Sequence, residues 1–299
     1  MRNQYLVITI FAFLAAANSN AYGVPGESVV LDPNTGDYLI TYYGAGAPGD
    51  KKNRILRQTI FVPATKIVPA IYTKLRLDGT GAVNYSYSVS SSAQSRQILD
   101  TVRFNLFNKV VGSQDLPTNI QVTREQMAAV FEANKLALTT PSGWDGFIYT
   151  NQSGASRISW HPVDEGAGIQ PGQSQQGFGF SSIDIPGVGM AQMQGDSPVP
   201  SYPDEGPALN SEVNEQLEPI EQNNFVPRNA AVPTIAVPTP FDPALLLERI
   251  QAHTHTWIAS QLLDSAFSSQ LDRYLVAAAD AYRLNQPKVG KKQIQTMRE

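Results

Sequence analysis

The chain contains no cysteine, so it has neither a disulfide staple nor a thiolate nucleophile, and its core must hold by burial alone. Histidine is almost as scarce, with His161, His253 and His255 the whole supply. No serine sits in a nucleophile-elbow pattern, which removes a common signature of hydrolases. Tyr22 to Gly195 carries 13 basic and 13 acidic residues, and the formal net charge of the chain is -4, so no basic field is present to hold nucleic acid. Beyond the first 21 residues no stretch is apolar for long enough to span a bilayer.

What is present begins with a leader. Arg2 precedes an apolar run from Leu6 to Ala17, and Ser19-Asn20-Ala21 places small residues where a signal peptidase reads. A run of about 12 residues, against the roughly 20 needed to span, predicts a secretory signal peptide over 1–21 rather than a membrane anchor. The mature chain is then expected to start near Tyr22 and to be exported, periplasmic or extracellular.

Period-two patterning dominates the next segment. Val83-Asn84-Tyr85-Ser86-Tyr87-Ser88-Val89 alternates without a fault, and Trp144 to Gly195 repeats short apolar runs between Gly, Pro and Asn clusters. Pro25-Gly26, Pro171-Gly172 and Pro186-Gly187 stand at strand entrances. One helix interrupts the strands: Thr123 with Gln126 three residues later forms a capping box, followed by Met127, Val130 and Phe131 at helical spacing. These features predict a mostly β domain over 22–195, an antiparallel immunoglobulin-like β-sandwich with one inserted helix, whose apolar face plugs an end of the sandwich. Residues 196–240 hold nine of the 21 prolines and seven acids against Arg228 alone, the composition of a disordered acidic linker. Asp242 then caps a helix with Pro243 at its first position, and 241–299 read as a small helical hairpin that ends without a cap.

Few residues offer chemistry. His161, with Asp164 and Glu165 close behind, is the best acid/base grouping; Trp144 and Trp160 are the candidate ligand platform, suited to stacking on a sugar. Asp32, Asn34 and Asp37 could place oxygens around calcium, but the spacing lacks a closing Glu and reads better as a hairpin turn. His253 and His255 are two apart, so on a helix they diverge by about 200° and cannot share an ion. No cofactor is expected. The expected function is an exported non-catalytic binding or structural module with an unknown protein or carbohydrate partner, and the alternative is a secreted hydrolase of polysaccharide or peptide acting near His161.

Overall fold

The computed structural model describes residues 26–45, 53–107, 109–115, 123–150, 155–197, 212–222 and 224–298; the leader expected over 1–21 lies outside them. In chain order the described elements are β1 (Ser28–Leu31), β2 (Tyr38–Ala45), β3 (Arg54–Phe61), β4 (Pro69–Leu77), β5 (Val83–Ser91), β6 (Leu99–Leu106), α1 (Arg124–Lys135), β7 (Leu138–Thr139), β8 (Trp144–Thr150), β9 (Ser156–Pro162), β10 (Ser174–Ser182), β11 (Ile185–Gly195), α2 (Glu212–Gln222), β12 (Val226–Ile235), α3 (Pro243–Ala259), α4 (Ser265–Arg283) and α5 (Pro287–Arg298). The protein is thus mostly β with antiparallel sheets and five helices among the described residues. Two compact units divide it: residues 1–60 with 199–219, and residues 61–198 with 220–299.

In the first unit, β1, β2 and β3 form a sheet of their own rather than opening a larger one. Asp32 to Asp37 is the turn between β1 and β2. Asp32 spends its carboxylate on the turn, accepting from the Asn34 backbone N–H at 2.9 Å and the Thr35 hydroxyl at 2.8 Å. Those bonds favour the ionised form and hold its pKa below the ordinary value. Gly36 takes φ +68° there, a conformation that glycine adopts without a Cβ penalty.

The second unit holds two antiparallel sheets, ordered β4-β5-β10-β7 and β12-β11-β6-β9-β8. Alternation explains which side chains go inward. Val83, Tyr85, Tyr87 and Val89 of β5 share one buried cluster with Val102, Phe104 and Leu106 of β6, with Ile158 and Trp160 of β9, and with Phe178 and Phe180 of β10, so both sheets feed one core. Arg228 ties the edges together, its Nε donating to the Pro69 carbonyl at 2.7 Å.

Helix α1 starts as its sequence implies, with Gln126 N–H donating to Thr123 Oγ1 at 3.2 Å and Gln126 Oε1 accepting from Thr123 N–H at 3.0 Å. It does not plug an end. Instead it lies against β8, the edge strand, where fully buried Asn134 donates to the Ile148 carbonyl at 3.4 Å and also bonds the Gln114 backbone. Covering an edge satisfies carbonyls that would otherwise invite another strand.

The expected linker over 196–240 is also revised. Residues 226–235 are β12, in register with β11 from Met193↔Val226 to Ile185↔Ile235. Its prolines, Pro227 and Pro233, are tolerated because β12 is an edge strand, where a missing N–H costs no ladder bond; Val226, Ala230, Val232 and Ile235 supply the buried or half-buried face. At the C-terminus there are three helices, α3, α4 and α5. Asp242 caps α3, accepting from Ala244 and Leu245 N–H, and Ala244, Leu247, Leu275, Ala278 and Ala279 form their common core.

Phe104 is fully buried where both sheets meet, so Phe104→Ala is expected to lower the urea-unfolding free energy of the protein by about 3–5 kcal/mol. A loss below about 1 kcal/mol would show that this ring does not bridge the sheets.

Candidate functional site

Outward-facing residues of the five-stranded sheet follow the same alternation. Register sets Asp145 opposite His161, Phe147 opposite Ser159 and Tyr149 opposite Arg157 between β8 and β9. On the other side of β9, Arg103 lies opposite Ser159 and Asn105 opposite Arg157. The result is a groove of about 350 Å3 lined by Arg103, Phe147, Tyr149, Arg157, Ser159 and His161.

Its electrostatics are unbalanced. Among the described residues neither Arg103 nor Arg157 forms an ion pair. The nearby carboxylate of Asp145 is taken by Lys135 of α1 at 3.0 Å, and that ammonium also lies 5.4 Å from the centre of the Phe147 ring. Arg157 donates from Nε to Asn105 Oδ1 at 3.4 Å. Arg103 packs its guanidinium 4.2 Å from the centre of the Phe225 ring, but its buried Nε–H has no hydrogen-bond partner. Burial first, and repulsion from Arg157 second, lower the Arg103 pKa. Leaving such a donor unsatisfied costs roughly 1–3 kcal/mol.

Behind the groove runs a chain of polar contacts. His161 Nδ1 is 3.2 Å from Thr101 Oγ1, and that hydroxyl donates to Asp100 Oδ1 at 3.0 Å. Thr101 can therefore accept from a protonated Nδ1, leaving Nε2 as the free ring nitrogen. Burial, with Arg103 adding, lowers the His161 pKa, while Asp145 opposes. The Asp100 carboxyl is pushed up to about 6, chiefly by burial; the Thr101 hydroxyl opposes the rise and Asp196 adds to it.

The structure keeps His161 in this site and removes its expected partners. Asp164 and Glu165 are exposed in the turn after β9 and do not line the groove. Trp144 and Trp160 are core residues, not a platform: they are 8% and 0% exposed, Trp144 meets Phe178 edge-on at 5.0 Å, and the Trp160 indole N–H donates to Thr140 Oγ1 at 3.3 Å. No ring face is left for a sugar. His255 pairs with Asp272 of α4 at 2.5 Å, whereas His253 lies beside Trp257. Among the described residues no group of three or more metal-ligating side chains converges. Sequence reasoning passed over Arg103 and Arg157. Each is polar at an outward position of an alternating strand, which is a visible signal, but their meeting depends on β6 pairing with β9 across more than 50 residues of chain.

Comparison with protein-family models, with curated proteins and with solved structures finds no match.

A pH test follows from Asp100. Its folded pKa of about 6 exceeds the ordinary 3.8, so its favourable contribution is complete below about 3.8 and is lost as pH rises through about 6. His161 has the opposite sign and is common to wild type and Asp100→Asn. Relative to that variant, wild type should lose ~2 kcal/mol between pH 4 and pH 7, allowing for the partial exposure of the carboxyl. Urea midpoints across that range measure the difference, and a flat difference would contradict the burial argument.

Proposed function

We propose that the protein is an exported, non-catalytic binding module of the cell envelope or extracellular space, built on an immunoglobulin-like sandwich and taking an anionic ligand between Arg103 and Arg157. Export is supported by the leader, Arg2 followed by Leu6 to Ala17. The immunoglobulin-like assignment is supported by strand order. Lettering β4, β5, β6, β7, β10, β11 and β12 as A to G gives A-B-E-D in one sheet and G-F-C in the other, the order of a constant-type domain. The β8-β9 hairpin is then an insertion between D and E that pairs onto the free side of C.

The observation that carries the functional reading is the buried Nε–H of Arg103, unpartnered and beside a second unpaired guanidinium. A carboxylate, sulfate or phosphate there would accept that hydrogen bond and relieve the repulsion together. Phe147 and Tyr149 would flank the rest of the ligand. Binding is favoured over hydrolysis because the carboxylates adjacent in sequence to His161 point into solvent rather than into the groove.

Titration calorimetry of the mature chain with sulfate, phosphate and glucuronate tests the reading. At least one should bind, more weakly as ionic strength rises, and Arg103→Gln or Arg157→Gln should weaken it tenfold or more. Equal affinities in wild type and Arg103→Gln for every anion would overturn the proposal.

A further inference from the structure

A second groove lies further along the same sheet face, where α3 stands beside β11 and β12. It encloses about 630 Å3, against about 350 Å3 for the arginine groove. The helix is fixed in place by Arg249, whose Nη1 donates to the Ala236 carbonyl at 2.7 Å, while Val237 N–H donates to Asp184 Oδ1 at 3.2 Å. Gly187 lets the wall approach the floor. A Cβ there would come within 2.1 Å of Thr234 Oγ1 and 3.0 Å of the Trp257 ring.

The lining has a definite chemical character. No Asp, Glu, Lys or Arg contributes to it, so a charged ligand would lose its hydration with no counter-charge to replace it. Half of the lining residues nevertheless carry hydroxyl, carboxamide or imidazole groups, among them Asn229, Gln192, Thr234, Ser260 and His253. Asn105 and Gln192 hold each other at 3.1 Å, with Gln192 Oε1 accepting, so the Gln192 amide hydrogens stay available. Thr234 Oγ1 is buried and has no partner. The rest of the wall is apolar, with Trp257, Val188, Val232 and Leu262 beside exposed Met190 and Phe107, 58% and 74% accessible. A lipid tail would leave the polar groups dry, and an acidic ligand would find no cation.

We propose that this groove binds an uncharged saccharide, one ring stacked on Trp257 and its hydroxyls shared among Thr234, Gln192 and Asn229. A sugar ring offers C–H faces to an indole and hydroxyls around its rim, which matches an apolar wall beside neutral donors and acceptors. The assignment does not depend on the arginine groove, since the two sites have separate linings apart from their meeting at Asn105, which bonds Arg157 on one side and Gln192 on the other.

The test is titration of the mature chain with a panel of neutral oligosaccharides, including gluco-, manno-, galacto- and N-acetylglucosamine oligomers, read by calorimetry and tryptophan fluorescence. At least one should bind, with a change in emission lost in Trp257→Phe. Trp257→Ala should weaken that ligand tenfold or more. Thr234→Val provides a control on folding: removing the orphan hydroxyl should leave the urea midpoint equal or higher while weakening binding several-fold. If no neutral sugar binds, or if one binds equally well to Trp257→Ala and wild type, the proposal is wrong; preferential binding of fatty acids or an apolar peptide to the same groove would overturn it too. Loss of anion binding with retention of sugar binding would fault the arginine groove alone.

Discussion

The two sheets of the second unit depend on a ring contact between them. Tyr87 of β5 lies 4.5 Å from Phe104 of β6, centre to centre, and Phe180 of β10 lies 5.9 Å from Tyr87 and 6.1 Å from Phe104. Trp160 then meets Phe104 edge-on at 6.0 Å and Phe178 at 5.7 Å. With no cysteine in the chain, this cluster holds the two sheets together without a disulfide. Edge-to-face geometry adds about 0.5–1.5 kcal/mol per pair beyond burial. The tyrosines also solve their polar problem within the same framework: Tyr85 donates to the Asp184 carbonyl at 2.9 Å and Tyr87 to the Ala231 carbonyl at 3.0 Å. Burial is the first cause that raises both phenol pKa values, so both hydroxyls stay protonated donors and pin β5 to β12 and to the segment between β10 and β11.

Committing one parity of every strand to the rings frees the other. On the five-stranded sheet that freed parity is widened by β8 and β9, without which β6 would be an edge and Arg103 would lie at a rim. Helix α1 protects the new edge by giving Asn134 to the backbone and Lys135 to Asp145. The second effect matters more for the groove. Once Asp145 is neutralised by Lys135, it cannot balance Arg103 and Arg157, and the groove keeps a net positive character within a chain that is acidic as a whole. A surface that is basic only locally, and only because a helix removes the nearest acid, follows from topology rather than composition.

That distinction accounts for what could be read in the sequence. Local signals were legible where the physics is local: Thr123 with Gln126, Asp242 with Pro243, and the alternation from Val83 to Val89 each act over a few residues. β12 was hidden because its two prolines and the acids upstream outweighed a short period-two pattern, and proline's penalty depends on edge position, which only the folded sheet reveals. The tryptophans misled for a related reason. Trp160 shares parity with buried Ile158, and Trp144 with buried Ile148; had alternation been applied to them as strictly as to β5, both would have been assigned inward.

Trp257 shows the converse. It lies on α3, where helical spacing groups it with Ile250 and predicts an ordinary buried stripe, yet it is only half-buried, over Gly187. The core shared by α3, α4 and α5 is filled by Ala244, Leu247, Leu275, Ala278 and Ala279, with Ile250 packed against it, and it does not need an indole. Alanines at three of those positions let the helices approach closely, so their contact is complete without the largest side chain on α3. That side chain is left over for the sheet, and at the sheet β11 presents Gly187 where any other residue would collide. A small-residue helix core and a glycine in a facing strand together turn a residue that would ordinarily be packing into a groove wall. The helical segment is in this sense one side of a site whose other side is β11 and β12.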